Sequence, residues 1–240
     1  MKQNLLFIHG FRGNHLGLED VIKYFDRDKY NIYAPDIPPA GSNSMKSYTP
    51  ETYAEFIANY IKSNGIKSPI LIGHSMGSIV AAAVAENYPE LINKKIIFIS
   101  PISVKVASFF KALSPLSAVL PNHLISHVTT KYFFVSKDKD LYKKTIDLTM
   151  IGGADSTSKK DSYKSAKFSA NYSILDFDLA GKDIHYIAGE KDRLVPKERT
   201  KNASKKLGGT ITFIKDAGHL VNYENPKATA AAIEKFINTK

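Results

Sequence analysis

The chain has 240 residues, 43% hydrophobic and 23% charged, which excludes a disordered segment and leaves room for one large domain carrying an insertion. It contains no cysteine, so disulfides, thiolate catalysis and cysteine-ligated metals are excluded. The 33 Lys and Arg against 23 Asp and Glu give a formal net charge of +10, but no compact basic cluster with interleaved aromatics occurs, so the excess reads as solvated lysines and not as a nucleic-acid surface.

The opening run Leu5-Leu6-Phe7-Ile8 breaks at His9-Gly10. It is too short for a signal-peptide core, so it reads as a first strand over 4–9 and the chain as cytoplasmic. No apolar run approaches the length of a membrane span, so no stable membrane insertion is expected. A helical pattern over 16–25 and a strand over 31–35 come next. After them the periodicity predicts a helix over 50–63, a strand over 69–73, an alanine-rich helix over 76–87 and a strand over 95–100.

From 101 to 181 the alternation stops. Helical pieces over 104–113 and 121–130 are punctuated by Pro115, Pro121 and a Gly/Ser/Lys-rich loop over 152–160. That interval is too long for a loop in a compact domain and reads as an inserted helical cap. Strands over 184–189 and 210–215 then frame a helix over 196–206. Asn225-Pro226 supplies a cap and a first-turn proline for a last helix over 226–238. Repeated strand–helix–strand units imply an α/β fold: a six-stranded, mainly parallel sheet flanked by helices, with residues 1–100 and 182–240 as core and 101–181 as cap.

Gly73-His74-Ser75-Met76-Gly77 spells G-x-S-x-G between an apolar strand and an alanine-rich helix. In that context the pattern is a nucleophile elbow. The serine must take a strained backbone conformation to push its hydroxyl out of the turn. A Cβ at either glycine would collide with a neighbouring strand or helix.

Further motifs sit at the other strand ends. His9-Gly10-Phe11-Arg12-Gly13-Asn14 follows the first strand and Asp36-Ile37-Pro38-Pro39-Ala40-Gly41-Ser42 the second. Gly189-Glu190-Lys191-Asp192 follows the fifth, and Gly218-His219 with Glu224 and Pro226 follows the sixth. In this order they resemble the α/β-hydrolase superfamily over nearly the whole chain. The resemblance implies a catalytic triad of Ser75, Asp192 and His219, and oxyanion donors from the backbone N–H groups of Phe11 and Met76.

Such chemistry needs each part. An imidazole takes the serine proton, a carboxylate holds the imidazole in the right tautomer, and aimed donors stabilise the oxyanion by about 3 kcal/mol each. The expected activity is cofactor-free and metal-free hydrolysis of a small to medium, mostly apolar carboxylic ester through an acyl-Ser75 intermediate. Carbon–carbon bond hydrolysis, lactonase or thioesterase activity on the same triad, and a small-molecule receptor of hydrolase fold, are the alternatives. The sequence sets no oligomeric state.

Against the family pattern, the chain starts almost at the strand before His9, which predicts a sheet trimmed of an N-terminal hairpin. The turn after Asp36 reads Pro38-Pro39-Ala40-Gly41 in place of the family's P-G-x-G, and Ser78 stands where many relatives carry a second glycine. Asp176, Asp178 and Asp183 are rivals to Asp192 for the acid. His9 is expected to structure its loop, His74 to pack beside the elbow and His185 to be a satisfied core histidine. His123 and His127 share the four-residue spacing of a metal face but lack a third ligand, so no metal is expected. Arg12 has two readings, an anchor for its loop or a contact for an anionic substrate group.

Overall fold

The apolar runs become strands, and the central ones are buried on both faces, the condition under which a parallel sheet tolerates continuous hydrophobic sequence. In a computed structural model that describes residues 2–105, 121–151 and 157–239, these are β1 (Gln3–Ile8), β2 (Tyr30–Tyr33), β3 (Ile70–His74), β4 (Lys95–Ile99), β5 (Asp183–Gly189) and β6 (Thr210–Ile214). They form one six-stranded sheet in the order β2-β1-β3-β4-β5-β6. Every pair is parallel, so the expected class and strand number hold without an antiparallel strand.

Strand alternation divides the interior into two layers. Leu6, Ile8, Leu71 and Phe98 face one core, with Tyr53 and Ile57 of α2 (Pro50–Ser63) and the apolar residues of α3 (Met76–Asn87). Leu5, Phe7, Ile70, Ile72 and Ile97 face the other, with Val21 of α1 (Leu16–Ile22) and Ile233 of α9 (Pro226–Ile237). α3 is buried from Met76 to Ala85. Its alanines let the helix axis lie close to the sheet, which brings the turn before it to the strand ends.

Helix ends follow local chemistry. The Asn225 side chain accepts from the Ala228 N–H and Pro226 opens α9, as its sequence predicts. α1 stops three residues before the expected end. There the chain tightens into i→i+3 bonds from the Tyr24 and Phe25 N–H groups. The tightening turns Phe25 inward, edge-on to Phe7 at 5.8 Å and Tyr30 at 5.6 Å.

Between β4 and β5 lie α4 (Asn122–Phe133), α5 (Lys139–Thr149) and α6 (Lys159–Asn171). The helix over 121–130 is therefore found and runs one turn further. Lys159 and Lys160, read as loop, begin a helix capped by the Ser158 hydroxyl. The expectations for residues 106–120 and 152–156 lie outside the described residues. α7 (Lys197–Leu207) and the short α8 (Val221–Glu224) complete the chain order. Among the described residues no helix is long and apolar enough to cross a membrane.

His185 in β5 is buried, with ring nitrogens 2.7 Å from Thr210 Oγ1 and 3.1 Å from Thr212 Oγ1 and its ring stacked on Phe236. Burial, with Lys235 adding to it, pushes its imidazole down to about 4. The unfolded chain titrates at about 6.5 and takes up a proton that the folded chain refuses. Stability contributed by the neutral form is therefore complete above pH 6.5 and is lost as pH falls towards 4. Thermal unfolding of His185→Gln should show a flatter acid arm between pH 6.5 and 4 than the native chain. Parallel pH profiles would exclude this origin.

Candidate active site

β1 is flanked by β2 and β3, so the connections from β1 and into β3 run to opposite sides and leave a crevice beyond their carboxyl ends. The candidate residues converge there. Ser75 follows β3 directly, with φ 51° and ψ −118°, a strained region that projects its side chain from the turn. The flanking glycines are needed for space. A Cβ on Gly77 would run into the Ile8 and His9 carbonyls, and one on Gly73 into the Gly77 and Ser78 backbone.

The loop after β5 carries Asp192 and the loop after β6 carries His219. Asp192 Oδ1 accepts from the Leu194 N–H at 2.8 Å and the Val195 N–H at 2.9 Å, which fixes the carboxylate plane. Its Oδ2 lies 2.8 Å from His219 Nδ1, and His219 Nε2 lies 2.8 Å from Ser75 Oγ. A carboxylate only accepts, so Nδ1 carries the imidazole hydrogen and Nε2 accepts the Ser75 hydroxyl proton. All three residues are buried. The rival acids are elsewhere: Asp176 Oδ2 accepts from the Ser173 N–H, Asp178 Oδ1 from the Ala180 N–H, and Asp183 is exposed at the start of β5.

The loop after β1 is held against the elbow. His9 Nδ1 donates to the Gly10 carbonyl and Nε2 accepts from the Ile37 N–H, both at 2.9 Å, so one neutral tautomer satisfies both. Burial lowers its pKa and preserves that form. Asn14 accepts from the Gly17 N–H and donates to the Leu148 and Ile151 carbonyls at the end of α5. Arg12 Nη1 and Nη2 lie 3.4 Å from the hydroxyls of Ser162 in α6 and Ser126 in α4, so its guanidinium ties the loop to those helices. Phe11 borders the space above Ser75, and Met76, the first residue of α3, has an N–H without an intrahelical acceptor.

The serine opens into a cavity of about 70 Å³ with apolar walls from Phe11, Leu18, Phe133, Leu194 and Leu220. His74 shares that wall. Burial, reinforced by the nearby His219, pushes its imidazole down to about 3 and keeps it neutral. Ser78 does more than replace a glycine: its hydroxyl donates to the Ser75 carbonyl at 2.6 Å and accepts from the Ile102 N–H at 3.2 Å, joining the elbow to the exit from β4. His123 and His127 are exposed, and among the described residues no group of three or more His, Asp or Glu is gathered for a metal.

Glu224 has a role that sequence reasoning missed, although it stands in the motif around His219. Its Oε1 accepts from the Val135 N–H at 2.6 Å and the Ser136 N–H at 2.8 Å, and its Oε2 from the Gly218 N–H at 2.7 Å. The His219 N–H in turn donates to the Phe133 carbonyl at 3.1 Å. The segment after α4 is thus stitched to the loop that aims the imidazole. Burial raises the Glu224 carboxyl above the ordinary carboxylate range despite these three donors. Glu224→Gln turns an NH₂ towards backbone N–H groups and should cost about 1–3 kcal/mol of stability by chemical denaturation. An unchanged midpoint would contradict the role.

The sequence profile of the Alpha/beta hydrolase family matches residues 5–232, and the chain belongs to that family. It is 28% identical to the Bacillus subtilis protein named "Uncharacterized hydrolase YugF" over 98% of this chain and 90% of that one. To the Mycoplasma pneumoniae protein named "Putative esterase/lipase 2" it is 25% identical over 99% and 90%. The solved structure of an esterase from Exiguobacterium antarcticum superposes with a TM-score of 0.88 at 17% identity, covering 99% of this chain and 92% of that one.

Proposed function

We propose that the protein is a cofactor-free serine hydrolase that cleaves small to medium, mostly apolar carboxylic esters. The observation that carries this reading is the continuous Asp192–His219–Ser75 chain of 2.8 Å contacts, ending in an apolar cavity. In the proposed cycle Ser75 Oγ attacks the ester carbonyl while His219 Nε2 takes its proton. The Asp192 carboxylate stabilises the imidazolium, and the N–H groups of Phe11 and Met76 stabilise the oxyanion. Collapse expels the alcohol, which takes the proton from His219. Water then attacks the acyl-Ser75 carbonyl, gives a proton to His219, and releases the acid as that proton returns to Ser75.

We propose residues 1–100 and 182–240 as the hydrolase core and 101–181 as a cap over the site. Arg12 and Asn14 support this division, since each bonds from the loop after β1 to helices of that interval. The cavity supports a short acyl group. kcat/KM across an acyl series should rise by up to about fourfold per methylene, from about 0.8 kcal/mol of burial each, and then level off once the space is full. A panel of esters, thioesters, lactones and dienol-diketones tests the class. Ester turnover is expected to dominate, whereas a profile flat from acetyl to octanoyl, or activity confined to dienol-diketones, would overturn the reading.

A further inference from the structure

The outward side of α4 carries a pattern that the fold does not use. Ile125, Ser126 and Thr130 are buried, whereas His123, Leu124, His127, Val128, Lys131 and Tyr132 face solvent. At about 100° per residue this outward arc divides into two parallel stripes. Leu124, Val128 and Tyr132, spaced four apart, form an apolar stripe in which they are 41%, 49% and 39% exposed. His123, His127 and Lys131, also spaced four apart, run beside it. A helix on the surface of a globular domain ordinarily turns its apolar stripe inward. Among the described residues only Tyr24, of the exposed large hydrophobic side chains, lies outside the interval between β4 and β5.

The charge on α4 is of one sign. The helix contains no Asp or Glu. Asp138, the first carboxylate after it, accepts from the Asp140 and Leu141 N–H groups at the start of α5. Lys137, Lys139 and Lys143 in the same stretch are exposed. A matching partner must be apolar and anionic at once. A second copy of α4 would set Lys131 and the imidazoles against their own kind. A lipid surface with anionic headgroups satisfies both stripes, since a helix lying in that plane buries its apolar side chains and leaves its cations among the phosphates. At 12 residues α4 is too short to span a bilayer, so it lies on the surface.

We infer that α4 docks the protein on an anionic lipid surface, with Leu124, Val128 and Tyr132 entering the acyl layer and Lys131 meeting the headgroup phosphates. The helix is tied to the candidate active site at both ends. Ser126 Oγ lies 3.4 Å from Arg12 Nη2 in the loop after β1, and the Phe133 carbonyl accepts from the His219 N–H. Phe133 also lines the cavity that holds Ser75. Docking through α4 therefore holds that cavity beside the lipid. The inference goes beyond the ester chemistry and does not depend on it: absence of Ser75 labelling would remove the hydrolase reading and leave the docking face in place.

Flotation with vesicles of phosphatidylcholine, alone or with about 30% phosphatidylglycerol, is the test. The native chain should float with the anionic vesicles and partition about tenfold less into the neutral ones. Salt at about 0.5 M should weaken the anionic binding. Val128→Glu should lower partitioning by about tenfold through the apolar stripe, and Lys131→Gln by about fivefold through its charge. Both side chains project into water, so melting temperatures should match that of the native chain. Leu124→Ser reads the same stripe if Val128→Glu does not fold.

No flotation of the native chain with anionic vesicles would overturn the docking face. So would flotation that neither Val128→Glu nor Leu124→Ser reduces, because binding would then come from lysines elsewhere. A native chain that is dimeric without lipid, and monomeric as Val128→Glu, would make this face a contact between copies and overturn the lipid assignment.

Discussion

Ser75→Ala should lower kcat/KM on any ester the protein turns over by a factor on the order of 10⁶ and abolish fluorophosphonate labelling. The magnitude follows from removing the only atom among the described residues to which His219 Nε2 is bonded on its reacting side. The fold should survive. Alanine adds no atom to the elbow, Gly73 and Gly77 keep their clearances, and the Ser75 N–H still donates to the Ile99 carbonyl. An alanine at φ 51° carries the same backbone strain as the serine. Equal circular dichroism and melting behaviour, with activity gone, is the expected combination. Labelling retained on another serine would exclude Ser75 as the nucleophile.

Asp192→Asn should cost about 10⁴ in kcat/KM, and the hydrogen bonds give the reason. The N–H groups of Leu194 and Val195 both require an acceptor at the Oδ1 position, so the asparagine oxygen is drawn there and its NH₂ is turned towards His219. Nδ1 must then accept, the imidazole hydrogen moves to Nε2, and that nitrogen can no longer take the Ser75 proton. The loss should fall on kcat, and an NMR signal of the ring should report the tautomer change. Asp176→Asn, Asp178→Asn and Asp183→Asn serve as comparisons, since these carboxylates serve local turns or solvent. A near-silent Asp192→Asn beside a damaging Asp178→Asn or Asp183→Asn would mean that another acid serves His219.

What was legible in the sequence is what is local. The central strands β1, β3 and β4 carry short apolar runs, Leu5–Ile8, Ile70–Ile72 and Ile96–Ile99. The elbow is written in five consecutive residues because strand end, strained turn and helix start are adjacent in the chain. The helix over 159–171 was not legible as such. Its buried face is built from Ser162, Ser165, Ala166, Ser169 and Ala170 as well as Phe168, so small polar residues stand where hydrophobic periodicity looks for apolar ones. Glu224 shows a second limit. Its bonds to Val135 and Ser136 cross 89 and 88 residues of sequence, and nothing near Glu224 announces them. The positions of Asp192 and His219 after strands were readable, whereas the 2.8 Å contacts joining them to Ser75 depend on the parallel order of β3, β5 and β6.

The central claim is that hydrolysis passes through an ester bond to Ser75. It is tested most directly by rapid acid quench of the native chain with an activated short-chain ester, followed by mass spectrometry of the peptide containing Ser75. The account predicts a burst of released alcohol up to one equivalent per active enzyme, with the acyl mass on Ser75 in the same time window. His219→Ala should abolish both. Multiple turnovers with no acyl adduct at any time point, or an adduct on a residue other than Ser75, would contradict it.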